Sequence, residues 1–117
     1  MDDMHREFFA LAAAAQLASD EEFPAAFEKL VDYTHKHFES EGQLMRACGF
    51  PAIDEHESEH RRVLGELDYL LARIKTGRLT MARAYTEGLP IWISRHLQTM
   101  DSALAACVKS AAAHGWA

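Results

Sequence analysis

The sequence predicts an all-α protein folded as an up-down-up-down antiparallel four-helix bundle, and three observations lead to that class. Apolar residues recur three and four apart along four stretches, the period of a helix with one buried face. Alanine, leucine and charged residues dominate, and β-branched residues are few outside the helical patterns. The breaks between stretches are short, and short connections make successive helices antiparallel neighbours. A length of 117 residues suits one domain, residues 1–117, with a single real core. No internal repeat, linker or low-complexity segment interrupts it.

The first helix is expected to be capped by Asp2 or Asp3 and to run to about Leu17. His5, Phe8, Phe9, Ala12 and Gln16 lie along one side of it. Ser19, Asp20, Glu21 and Glu22 form a turn and an acidic helix start. Pro24 then fits the first turn of the second helix, where no N–H is needed. That helix carries Phe27, Leu30, Thr34, His37, Glu41, Leu44 and Met45 on its inner stripe, and it stops at Gly49, a natural left-handed cap. Pro51 opens the third helix, whose stripe is Ile53, His56, His60, Val63, Leu64, Leu67, Leu71 and Ile74; Thr76, Gly77 and Arg78 end it. Thr80 caps a fourth helix with Met81, Tyr85, Leu89, Trp92, His96, Met100, Leu104 and Val108 inside. Pro90 falls within that pattern, so a kink or a restart is expected there. Residues 111–117 are expected to fray.

Composition removes several function classes. The formal charge of −6 disfavours nucleic acid and anionic membrane surfaces as partners, and the twelve Lys and Arg form no basic stripe. No apolar run approaches the roughly 20 residues that cross a bilayer. The acidic start, Met1 to His5, is unlike the basic start of a signal peptide, so a cytoplasmic location is expected. Cys48 and Cys107 have neither a Cys-x-x-Cys nor a Cys/His zinc spacing. They are read as two reduced cysteines at or near the core, outside the chemistry.

The chemistry lies in where the polar residues fall. His37 and Glu41 are four apart, as are His56 and His60, so each pair points one way from its helix, one turn apart. His5 and His96 also occupy core-facing stripes, and Asp101 follows His96 by five residues, within inward reach. Burying these groups unpaired would cost about 1–3 kcal/mol for each polar group and more for a charge. Against a net stability of roughly 5–15 kcal/mol, several such penalties could not stand. Metal binding removes the conflict. Five imidazoles and two carboxylates are too many for one ion and suit a binuclear site, with the carboxylates bridging. Ligand type alone leaves iron, zinc, copper and nickel open.

The order His5, His37-Phe38-x-x-Glu41, His56-x-x-x-His60, His96-x-x-x-x-Asp101 closely resembles the hemerythrin family, in particular its bacterial single-domain members. Residues 2–9, Tyr33 and Thr34, Met45, the Gly49-Phe50-Pro51 turn and Trp92 fit the same pattern, which spans residues 2 to about 104. The resemblance implies a non-haem di-iron centre, oxo- or hydroxo-bridged, that takes O2 as a reversible ligand for carriage, storage or delivery. By position, His56, His60 and His96 would complete one iron. His5 and His37 would hold the other, which keeps an open position, and Glu41 and Asp101 would bridge. Neutral imidazoles donate less charge than the Glu-rich set of ferritin-like di-iron bundles, which favours carriage over oxidation. Phe8, Phe9 and Trp92 are the expected wall of an apolar O2 pocket. The chain departs from the family at Gly42, where an acidic residue is common, and at Met4, where glutamine is common; neither replaces a ligand.

Other residues receive plainer readings. His35 is offset from His37 and faces solvent, and His114 belongs to the tail. Met45, Met81 and Met100 fill the core, Trp92 is core as well as pocket wall, and Arg61, Arg62, Glu57 and Glu59 form solvated faces. His56-Glu57-Ser58-Glu59-His60 matches the His-Glu-x-x-His zinc protease motif, but that reading leaves His37, Glu41, His96 and Asp101 without a role. The expectation is a binding protein and not an enzyme, with peroxide reduction as a side reaction. The alternatives are an O2- or redox-sensing module, or a di-iron enzyme reducing peroxide or nitric oxide. A client oxidase or a signalling partner would fit the carrier and sensor readings respectively.

Overall fold

The structure, a computed structural model, describes residues 2–96 and 102–113, with side chains described for residues 6–96 and 102–111. These residues form α1 (Asp2–Leu17), α2 (Phe23–Cys48), α3 (Ile53–Lys75), α4 (Thr80–His96) and α5 (Ser102–Ala113), and no strand occurs among them. The molecule is elongated, 51 × 22 × 21 Å. No helix among the described residues is long and apolar enough to cross a membrane. The stretch expected as one fourth helix is thus described in two parts, α4 and α5, and Met100 lies outside the described residues.

α1 packs on α2 and α4, α3 packs on α2 and α4, and α5 packs on α2. Cross-helix pairs give the direction of two of these contacts. His35 meets Asp68 and Arg46 meets Glu57, so α2 and α3 run opposite ways. Tyr85 meets Glu66 and Trp92 meets Glu59, so α3 and α4 do too. Where α1 passes to α2, Arg83 closes the corner from α4. It donates to the Asp20 carboxylate at 2.7 Å and to the Ala18 carbonyl at 2.9 Å, with its guanidinium over the Phe23 ring.

The local signals explain most helix ends. Pro24 occupies the first turn of α2, and Gly49 closes that helix in the left-handed conformation at φ 69°, with its N–H donating to the Met45 carbonyl. α3 begins at Ile53 rather than at Pro51, because Pro51 and Ala52 are spent on the turn that reverses the chain. α4 continues through Pro90 to His96. A proline there has no N–H for the carbonyl four residues earlier, that of Thr86. Gln16 of α1 supplies the missing donor, its Nε2 donating to the Thr86 carbonyl at 2.7 Å.

The main apolar core includes Phe8, Ala12, Phe23, Phe27, Leu30, Phe38, Leu67 and Ile93. A smaller cluster of Met45, Phe50 and Leu104 joins α2, the following turn and α5. On α4 the buried residues are Ala82, Thr86, Leu89, Ile93 and His96. That face is rotated from the expected one. Met81 is 49 % exposed and so is not core filler, while Tyr85 and Trp92 are half-buried. The small side chains of Ala82 and Thr86 are buried in their place. Leu44 also turns outward. The remaining stripe positions of α2 are buried.

Candidate metal centre

Between the two apolar clusters lies a buried polar group drawn from three helices. α2 contributes His37 and Glu41, α3 contributes His56 and His60, and α4 contributes His96. Glu41 is the hub. Its Oε1 is 2.7 Å from His37 Nε2, and its Oε2 is 3.0 Å from His56 Nε2, 3.5 Å from His60 Nε2 and 3.9 Å from His96 Nε2. The carboxylate is 1 % exposed, and donor atoms of Glu41, His56, His60 and His96 all lie within 4.8 Å of one another.

The electrostatics suit ligation. Burial alone would raise the Glu41 pKa, but the four imidazoles around it, those of His37, His56, His60 and His96, outweigh burial and hold the carboxyl well below its usual range. The same burial pushes the His60 pKa down. Glu41 opposes that shift, while His56 and His96 reinforce it. An ionised carboxylate beside an imidazole that resists protonation, here Glu41 and His60, is the form in which such groups bind a metal. A further observation tests the fit: buried His60 Nε2 makes no hydrogen bond. A nitrogen stranded in this way costs about 1–3 kcal/mol, and a bound cation would remove that cost. The residues present fit a metal.

Of the expected ligands, the structure brings His37, Glu41, His56, His60 and His96 together. The His5 side chain and all of Asp101 lie outside the described residues, as does His114. A family model described as "Hemerythrin HHE cation binding domain" matches residues 1–108. The chain belongs to the hemerythrin family. It is 31 % identical over 100 residues to a bacteriohemerythrin of Ralstonia nicotianae, covering 86 % of this chain and 73 % of that protein. It is 28 % identical over 101 residues to the myohemerythrin of Sipunculus nudus, covering 86 % and 77 % respectively. A bacteriohemerythrin of Methylococcus capsulatus is 24 % identical over 113 residues, with 93 % and 86 % covered. All three bear hemerythrin names and none an enzyme's. No solved structure gives a significant match.

In this hemerythrin-family chain the imidazoles are jacketed by aromatic rings. Phe38 stacks on His60 with ring centroids 3.7 Å apart, and Trp92 stacks on His96 at 4.8 Å. Tyr33 lies parallel to His37 at 6.1 Å, and Phe8 meets the same ring edge-on. Phe50 stands edge-on to His56 at 5.8 Å. Of the expected pocket wall, Phe8 and Trp92 thus touch the cluster, while Phe9 is half-buried against the main core. Phe38, Tyr33 and Phe50 were not expected as walls, although each is one to six residues from a ligand position in the sequence. A cleft of about 300 Å³ beside the site has Phe38 and His60 in its lining, together with Glu57 and Leu64.

The plainer readings divide. His35 is exposed and pairs with Asp68 at 3.0 Å, as a surface histidine should. Glu59 is more than a solvated residue: it is half-buried, accepts from Trp92 Nε1 at 3.0 Å, and is gripped by Arg62 at 2.6 Å. The Arg62 grip, helped by the Trp92 hydrogen bond and opposed by burial, keeps the Glu59 carboxyl below its usual range. Glu57 pairs with Arg46 at 3.3 Å on the surface side of α3.

Proposed function

We propose that this chain binds O2 reversibly at a non-haem di-iron centre, as a carrier, store or delivery protein. The ligands would be His5, His37, His56, His60 and His96, with Glu41 and Asp101 bridging, in an up-down-up-down four-helix bundle spanning one domain. The observation that carries this reading is Glu41, a buried carboxylate with the Nε2 atoms of four histidines from three helices arranged around its two oxygens. Iron is the metal favoured, because the chain belongs to the hemerythrin family and the donors are imidazole and carboxylate without thiolate.

The iron pair, when bound, would supply the electrons and the open coordination position that O2 needs. The protein does the rest. Glu41 offers one oxygen toward His37 and the other toward His56 and His60, an orientation suited to bridging. The stacked rings of Phe38 and Trp92 restrict rotation of His60 and His96, so these ligands are held in place before metal arrives. Phe8, Phe38 and Phe50 exclude water around the imidazoles, which slows proton delivery and favours release of O2 over its reduction. The cleft lined by Phe38 and His60 gives a small apolar gas a short way in.

The test is anaerobic reconstitution with ferrous iron, counting iron per chain and following the visible spectrum as O2 is added and removed. Two irons and a band that appears with O2 and disappears under vacuum are expected. Two irons that oxidise at once to a stable form would replace carriage with redox chemistry. A single metal would overturn the binuclear site.

A further inference from the structure

Cys48 and Cys107 take no part in the chemistry above, yet the fold brings them together. Cys48 is the last residue of α2, and Cys107 lies mid-way along α5, 59 positions later. The Cys107 thiol donates to the Cys48 carbonyl, with Sγ 3.4 Å from the oxygen. The Cys48 thiol turns back toward the Met45 carbonyl at 3.8 Å and interacts with the Cys107 thiol. Both residues are half-buried, neither sealed in the core nor fully open. They flank the cluster of Met45, Phe50 and Leu104, and neither belongs to the metal-ligand group.

We propose that Cys48 and Cys107 are a redox-active dithiol that closes as an intramolecular disulfide and ties α5 to the end of α2. The oxidant is a small-molecule disulfide. One cysteine thiolate attacks a sulfur of that disulfide, forming a mixed disulfide and expelling one external thiol, which takes up the proton the cysteine lost. The second cysteine then attacks the mixed disulfide at the first cysteine's sulfur. The Cys48–Cys107 bond forms, the remaining external bond breaks, and a second external thiol leaves with the second proton. The cysteine pair loses two electrons and the external disulfide gains them.

The order of attack follows from the surroundings. Burial, reinforced by the neighbouring Cys107, pushes the Cys48 thiol up to about 11, so Cys48 is protonated at neutral pH and is suited to the second, resolving attack. Closure would be felt at the metal centre. Met45, one turn beyond Glu41, and Phe50, edge-on to His56, pack in the same small cluster that the bond would cross. Gly49, in its left-handed conformation, directly follows Cys48, so the bond would also fix the α2–α3 turn. This inference stands whether or not the centre carries O2.

The experiment is to incubate the full reduced chain with glutathione disulfide, quench by alkylation and map the peptides without reduction. The expected result is a Cys48–Cys107 linked pair within one chain, reversed by dithiothreitol, with a higher urea midpoint than the reduced form. Cys48→Ser should stop at a stable glutathione adduct on Cys107. Persistent glutathione adducts on the parent chain, or disulfide-linked dimers, would overturn the proposal. So would a linked chain with an unchanged midpoint. The parent-chain measurements need no variant, so a misfolded serine variant would not blunt the test.

Discussion

Glu41 and Tyr85 show how burial and partners decide the behaviour of a single side chain. Glu41 is the carboxylate on which four imidazoles converge, so Glu41→Gln removes the charge while keeping the shape. We expect that variant to retain its helical circular dichroism and lose most of its iron, read by metal analysis after gel filtration. Tyr85 carries the opposite lesson. Burial first, and then its hydrogen bond to the Glu66 carboxylate at 2.8 Å, raise the phenol's pKa above its ordinary value of 10.0. A raised folded value means stability that is complete below the unfolded value of ~10 and lost as pH rises through the folded one. Alkaline titration at 295 nm should therefore show a late phenolate fraction that shrinks in Tyr85→Phe.

Helices are where local and tertiary instructions meet, and α4 is the clearest case. Its sequence contains a proline that should break it, and the helix survives because α1 provides a donor for the Thr86 carbonyl through Gln16. Gln16→Leu should cost about 1–2 kcal/mol in urea unfolding by stranding that carbonyl. With Pro90→Ala in the background, the restored N–H should shrink the cost to a few tenths of a kcal/mol. A double-mutant cycle with no coupling would sink this account. The inner face of α4 departs from the one its periodicity predicts for a related reason. Met81 and Tyr85 are more apolar than Ala82 and Thr86, but α1 lies close by, and small residues let two helix backbones approach. A periodicity count weighs hydrophobicity and cannot weigh the neighbour.

For the whole molecule, the polar layer between the two cores couples metal to folding. A ligand that binds only the folded form adds RT ln(1 + [L]/Kd), about 2.7 kcal/mol at a hundredfold excess over Kd. Stripping the iron should lower the thermal midpoint in proportion, measured by calorimetry before and after chelation. Hydrogen exchange should quicken first in α2 and α3 around His37, Glu41, His56 and His60, and least around Phe23 and Leu67 in the main core. Uniform acceleration along the chain would mean that the metal stabilises the fold without locally ordering the site.

The sequence by itself determined the helices, the turn at Gly49 and the pairing of His37 with Glu41 and of His56 with His60. All of these depend on spacing within one helix or on one residue's backbone preference, and a 3.6-residue turn is the same in any context. His96 is legible through its place on a stripe and the family resemblance, since no second ligand stands four residues from it as in the other two pairs. Tertiary structure alone decided which rings stack on the imidazoles, that Gln16 answers Pro90, that Glu59 holds Trp92, and that Cys48 meets Cys107 across 59 positions. Each of those depends on how one helix is rotated against another, and that rotation is set by the packing of all the faces together.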